Sequence, residues 1–200
     1  DRGEAAMKGR ESGMPDEDYW GTFFNPRCIV ERLDCAESCR GLVEFGCGYG
    51  HFTVPAAQLA KGQVIAFDIE AAMVAATKAK VEAAGLSNVI IERRDFVGEG
   101  CGLKDSSVDH AMLFNILHIE DPVGLLSEAF RILVPGGKVS VIHWRSDLET
   151  PRGPSLIIRP RPEQSRDWGK QAGFRFVRDE ALPCCSYHYG MVLERPHGSR

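Results

Sequence analysis

The sequence predicts an α/β protein: a doubly wound, seven-stranded, mostly parallel sheet with helices on both faces. Three observations lead there. Short apolar runs alternate with stretches of helical periodicity, the pattern of a parallel sheet covered on both sides. The first run, GLVEFGC over 41–47, breaks into glycines at 46, 48 and 50. The last two runs are separated by a turn too short for a crossover, which favours a terminal antiparallel pair.

Each element follows from local chemistry. Residues 1–18 are rich in Gly, Lys, Arg, Glu and Asp, with little to bury, and read as a mobile arm. Asn25 is a good N-cap and Pro26 a good first helical residue, so a helix is expected over 26–39, with Ile29, Val30 and Leu33 as its apolar stripe. The strand at 41–47 leads through its glycine turn to a helix carrying Phe52, Ala56 and Leu59, stopped by Gly62. A strand at 63–68 and a helix over 71–84 with Met73, Thr77 and Val81 on one face come next. Strands at 88–92 and 108–115, a helix at 122–133 and a strand at 138–144 continue the alternation. The segment 145–161 holds Pro151, Pro154 and Pro160 and reads as a long loop over the sheet's edge, a candidate lid. A helix from Pro162 to Gly173 and strands at 174–177 and 188–194 close the chain.

Composition sets limits. With 200 residues, 44% hydrophobic and 26% charged, the chain fits one globular domain, assigned to 25–196, with 1–24 as arm and candidate lid. A net charge of -4 gives no general attraction to phosphate backbones, so nucleic acid is not the expected partner. The seven cysteines (28, 35, 39, 47, 101, 184, 185) are odd in number and lack CxxC spacing, which points to reduced thiols and a cytoplasmic setting. No run reaches the ~18–20 apolar residues of a membrane span, and the first residues lack a signal-peptide core.

In a doubly wound sheet the ligand lies beyond the carboxyl ends of the strands, where strand order reverses. The turn after the first strand, Glu44-Phe45-Gly46-Cys47-Gly48-Tyr49-Gly50, lets the backbone approach a ligand closely. Read as a dinucleotide G-x-G-x-x-G/A fingerprint, it fails, because the third small position falls on His51. Glu44 could instead pair with a ligand's ammonium group. Asp68, ending the second strand, could accept both ribose hydroxyls or cap the next helix. Asp95 could accept from an adenine amino group beside Phe96, or simply balance Arg93 and Arg94.

EFGCGYG, AFDIEAAM, RRDF, LFNILHIED and RILVPGGKVSVIHW together resemble the class I S-adenosylmethionine (SAM)-dependent methyltransferases, in particular the type 11 or UbiE-like group. The resemblance covers about residues 40–145 and implies a Rossmann-like methyltransferase fold, with SAM as cofactor and S-adenosylhomocysteine as product. It places Glu44, Phe45, Gly46, Cys47, Gly48 and Gly50 around the methionine part and Asp68 on the ribose. Ile69, Met73, Asp95 and Phe96 would then lie around the adenine, and Asn115 near the sulfonium. The expected activity is methyl transfer to a small-molecule acceptor, since no insertion domain for a large substrate is present. A catalytically silent SAM-fold partner is the alternative.

Methyl transfer is an in-line displacement in which positioning does most of the work, and a weak nucleophile also needs a base. His118 and His143, near the ends of the fourth and fifth strands, are the candidates. Tyr19, Trp20, Phe23 and Phe24 either close over the ligands or dock as an N-terminal cover. Cys184 and Cys185 with Cys35 and Cys39 are weighed as a soft-metal site, but their spacing matches no known pattern, and no metal is assigned. The acceptor and the oligomeric state stay open.

Overall fold

The computed structural model describes residues 14–38 and 40–198. The elements, in chain order, are α1 (Glu17–Gly21), α2 (Pro26–Arg32), a 3-10 turn (Cys35–Glu37), β1 (Gly41–Phe45), α3 (Thr53–Leu59), β2 (Gln63–Asp68), α4 (Ala71–Ala83) and β3 (Val89–Arg93). Then come β4 (Val108–Phe114), α5 (Pro122–Ile132), β5 (Leu133–Trp144), a 3-10 turn (Leu156–Ile158), α6 (Pro162–Gln171), β6 (Arg175–Glu180) and β7 (His188–Glu194).

The seven strands form one sheet in the order β3-β2-β1-β4-β5-β7-β6. Strand β7 inserts antiparallel between β5 and β6, and the other pairings of β1 to β5 are parallel. Order therefore reverses between β1 and β4. Right-handed crossovers then send the helices to opposite faces on either side of that point. Alternation along β1 shows both faces: Leu42 packs with Ile29, Val30 and Ala56 of α2 and α3, while Val43 and Phe45 pack with Leu125, Leu126 and Ala129 of α5. On the first of these faces α4 covers β2 and β3 through Val74 and Val81 against Ala66 and Ile91. Strand β1 is buried along its whole length, which is why it reads as an uninterrupted apolar run.

Three expectations need correction. Helix α2 ends at Arg32 rather than 39, because Asp34 takes a left-handed φ of 64° and turns its carboxylate to Lys138 and Arg178. Strand β5 starts at Leu133, so Pro135-Gly136-Gly137 lies within it at a register shift against β4. The cysteines are not all reduced: Cys28 on α2 and Cys184 in the β6–β7 turn, 156 residues apart, form a disulfide. Spacing along the chain carries no sign of that pair, which exists because the turn folds back onto α2. Disulfides persist in oxidising surroundings, so the cysteine count gives no support to a reducing compartment. Cys39 lies outside the described residues, and among the described ones no cluster of His, Cys, Asp and Glu could hold a metal ion. No helix among them is long and apolar enough to cross a membrane.

Of the N-terminal aromatics, Phe23 and Phe24 are buried against Trp144, while Tyr19 stays exposed. They dock as a cover, anchored beside the disulfide. The 145–161 segment is ordered over the strand ends by Arg159, whose guanidinium donates to the carbonyls of Pro154, Arg145 and Arg152 and lies over the Trp144 ring.

Candidate active site

A cavity of about 810 Å³ opens at the carboxyl ends of the strands, on both sides of the β1/β4 reversal. Small-molecule sites run from about 300 to 1,000 Å³, so this one lies toward the upper end of that range. Its wall includes Gly46, Cys47, Gly48, Asp68, Ile69, Asp95, Phe96, Asn115 and His118. Those nine expected residues come from four separate loops and meet at one place. Glu44, Phe45, Gly50, Met73 and His143 do not line it.

The glycine turn is held from two sides. The N–H groups of Gly46 and Cys47 both donate to the Phe67 carbonyl at 2.9 Å, and the Gly48 N–H donates to Asp68 Oδ2 at 2.9 Å. Thr77 of α4 donates its hydroxyl to the Gly48 carbonyl at 2.8 Å. Gly50 has φ +77, and a Cβ there would lie 2.9 Å from Thr77 Cγ2 and 3.2 Å from its Cα. Gly50 is therefore a packing residue, needed so that α4 can approach the turn.

Asp68 is 5% exposed and accepts from Gly48 N–H through one oxygen and from Glu70 N–H through the other. Burial raises its pKa, and the two backbone donors oppose that rise. Glu44 lies beneath the turn, 1% exposed, accepting the Thr53 hydroxyl. Burial pushes its carboxyl up to about 8, with the Asp68 charge adding to the effect and the Thr53 hydrogen bond opposing it. Phe45 points to the opposite face, against Phe67 and Phe96, as strand alternation requires.

Asn115 ends β4 at φ +55, and its N–H donates to the Ile142 carbonyl. Its side-chain Nδ2 and Oδ1 are buried, and neither finds a hydrogen-bond partner among the described residues. A buried unpaired amide costs ~1–3 kcal/mol.

The two histidines touch. His118 Nδ1 lies 3.1 Å from His143 Nε2, and His143 Nδ1 lies 3.2 Å from the Trp144 carbonyl. A carbonyl only accepts, so His143 carries its proton on Nδ1 and offers a lone pair at Nε2. His118 therefore donates from Nδ1. Burial pushes its pKa down to about 4, so at neutral pH its Nε2 is bare. His143 itself is fully buried behind it.

Sequence reasoning missed part of the wall: Phe52, Phe114, Ile116 and Trp144, together with Met14, Pro15, His51, Arg94 and Val97. The signal for the 152–158 stretch was its length and prolines. For Trp144 and Phe114 no signal existed, because a residue at a strand end that walls a cavity looks like any core residue.

A sheet of this order with its cavity at the β1/β4 reversal defines an α/β fold of the methyltransferase type. A SAM-dependent methyltransferase from Aquifex aeolicus superposes with a TM-score of 0.77 at 21% identity, over 95% of this chain and 98% of that one. The family model for a methyltransferase domain matches residues 42–137. A Mycolicibacterium smegmatis protein named a probable S-adenosylmethionine-dependent methyltransferase is 32% identical over 126 residues, 62% of this chain and 45% of its own. An uncharacterized 37.1 kDa protein in transposon TN4556 of Streptomyces fradiae is 32% identical over 192 residues, 89% of this chain and 52% of its own. Residues 42–137 thus match a methyltransferase domain, and the chain is similar to SAM-dependent methyltransferases. It spans about half the length of the curated relatives it matches.

Proposed function

We propose that the chain transfers a methyl group from S-adenosylmethionine to a small-molecule acceptor. The observation that carries this reading is the Asn115 amide, buried and unpaired at φ +55 in a wall shared with the Gly46–Gly48 turn and Asp68. A polar ligand seated there recovers the cost of that unpaired amide.

The residues fit this cofactor. Each Asp68 oxygen holds one backbone N–H and keeps a lone pair for a ribose hydroxyl. Gly46 and Gly48 present backbone without side chains to the methionine part. Ile69 and Phe96 offer apolar surface to the adenine, and Asp95 an acceptor. Glu44 stands below with its pKa raised, and an ammonium group arriving above would draw it to its ionised form. When bound, the cofactor supplies an electrophilic methyl group on a sulfonium sulfur. The protein's part is to hold an acceptor in line with that group and away from water.

Calorimetry with S-adenosylhomocysteine, SAM and NAD, on the wild type and on Asp68→Ala, tests this reading. Micromolar binding of the first two, weakened about a hundredfold in the variant by loss of two charge-assisted hydrogen bonds, supports it. Binding of NAD alone, or of none of the three, refutes it.

A further inference from the structure

Beyond the cofactor loops, the cavity has a second half walled by Trp20, Phe52, Phe114 and Trp144, with Pro154 and Ile158 from the long loop. Ile157, 94% exposed, stands at its rim, so the entrance is apolar as well. The rings form a linked set: Trp20 lies 6.1 Å from Trp144 and Phe52 lies 4.9 Å from Phe114, centroid to centroid. His118 is a polar group in the same wall, and it presents a bare nitrogen.

We propose that this half takes a small, flat, apolar acceptor bearing a hydroxyl, a phenol in chemical class. His118 Nε2 accepts that hydroxyl's hydrogen bond and then its proton, in a tautomer set by His143 as a positioning residue. The inference rests on the methyl-transfer reading above.

The aromatic walls select the shape. Offset and edge-to-face contacts reward a flat ring, and the four aromatic rings themselves offset none of a charged molecule's desolvation, although Arg152 also lines the cavity. The histidine pair selects the functional group. The chain of hydrogen bonds from Trp144 carbonyl through His143 to His118 leaves an acceptor facing the cavity, so the partner must be a donor. The charged and titratable groups around the pair hold it neutral. Burial acts first on both rings; at His143 the charges of His118, His188 of β7 and the Arg159 guanidinium of the loop add to it, and the hydrogen bond to the Trp144 carbonyl opposes it.

A neutral, weakly basic imidazole fits an oxygen nucleophile. In the step, an oxygen lone pair forms the bond to the methyl carbon as the carbon–sulfur bond breaks, its electron pair going to sulfur. The hydroxyl proton passes to His118 Nε2 and from there to solvent. As the bond to carbon forms, the hydroxyl becomes an oxonium, far more acidic than an imidazolium, so even a weak base takes its proton. An alkylammonium, with a pKa of about 10, holds its proton too tightly for such a base to free the attacking lone pair, which turns the site away from aliphatic amine acceptors.

Two measurements test this. The first is nitrogen-15 NMR of the histidine rings in the free protein at pH 7. The expected spectrum has His118 protonated on Nδ1 with Nε2 bare, and an Nε2–H tautomer overturns the proposal. The second is calorimetry with 4-methylphenol and 4-methylanisole, each titrated into protein holding S-adenosylhomocysteine. The phenol is expected to bind about tenfold more tightly than the anisole, which has no O–H to give, and the gap is expected to close in His118→Phe. Equal affinity of phenol and anisole, or a preference unchanged in the variant, overturns the proposal. If S-adenosylhomocysteine binds while the probes fail to discriminate, only the acceptor reading falls. If it does not bind, the methyl-transfer reading falls, and the tautomer still decides the assignment of His118.

Discussion

Removing the Cys28–Cys184 disulfide tests how far the N-terminal cover and the β6–β7 turn depend on each other. The bond spans 156 residues of chain and joins two segments that share no strand pairing. In the chain-entropy description, closing a loop of that length costs the unfolded chain about 5 kcal/mol at 25 °C, and measured native disulfides usually contribute about 2–4 kcal/mol. A chain of this size shifts its midpoint by roughly 2–4 °C per kcal/mol. The double variant Cys28→Ser, Cys184→Ser should therefore melt roughly 4–16 °C below the oxidised wild type. Urea unfolding of the variant, of the oxidised protein and of the reduced protein gives the free energies directly. Reduced wild type and variant should coincide, because the remaining described thiols are buried and free. A variant within 1 kcal/mol of the oxidised protein would refute the reasoning, and so would a reduced protein much less stable than the variant.

Other outcomes follow from single residues. Gly50→Ala should cost about 2–4 kcal/mol in urea unfolding, combining a strained left-handed φ with a backbone contact to Thr77 that cannot move aside. Stability should fall on acidification from pH 7 to pH 5. His110 and His118 have pKa values pushed down to about 4 and His188 to about 3, chiefly by burial, whereas the unfolded chain titrates near pH 6.5. Within that window the unfolded state binds more protons, so stability is present above pH 6.5 and lost as pH falls toward 4. Glu44, raised to about 8, works in the opposite direction, since its folded form keeps a proton the unfolded form has released. These three histidines, joined by His143 and His51, whose pKa values burial also lowers, outweigh the one carboxyl and leave a net loss of more than about 2 kcal/mol, read from urea midpoints at the two pH values. Arg159→Met should leave the sheet intact and speed amide exchange across 152–158, where its three carbonyl bonds hold the loop.

Much of the fold was legible because the central parallel strands β1 and β4 are buried on both faces. Runs such as GLVEF and HAMLF carry no alternation to mislead, and the glycines at 46, 48 and 50 mark the turn at the topological switch. Where boundaries were misjudged, the cause is tertiary. Asp34 breaks α2 because Lys138 and Arg178, more than a hundred residues away, reward its left-handed conformation. The site divides in the same way. Backbone-driven features, Gly46, Gly48, Asp68 and Asn115, could be read from one position each. Features made by juxtaposition could not. His118 and His143 were each visible as titratable residues near strand ends, but their contact depends on strands β4 and β5 lying side by side in register. Trp20 and Trp144 meet only once the cover has docked, and nothing local announces the disulfide that pins it.

The most direct test of the central claim is a crystal structure of the protein with S-adenosylhomocysteine bound. The ligand is expected along the Gly46–Gly48 turn, its ribose hydroxyls on Asp68 and a polar atom against the Asn115 amide, with the aromatic half beyond the sulfur left open. A ligand bound elsewhere, or one in this cavity that leaves Asp68 and Asn115 untouched, would contradict it.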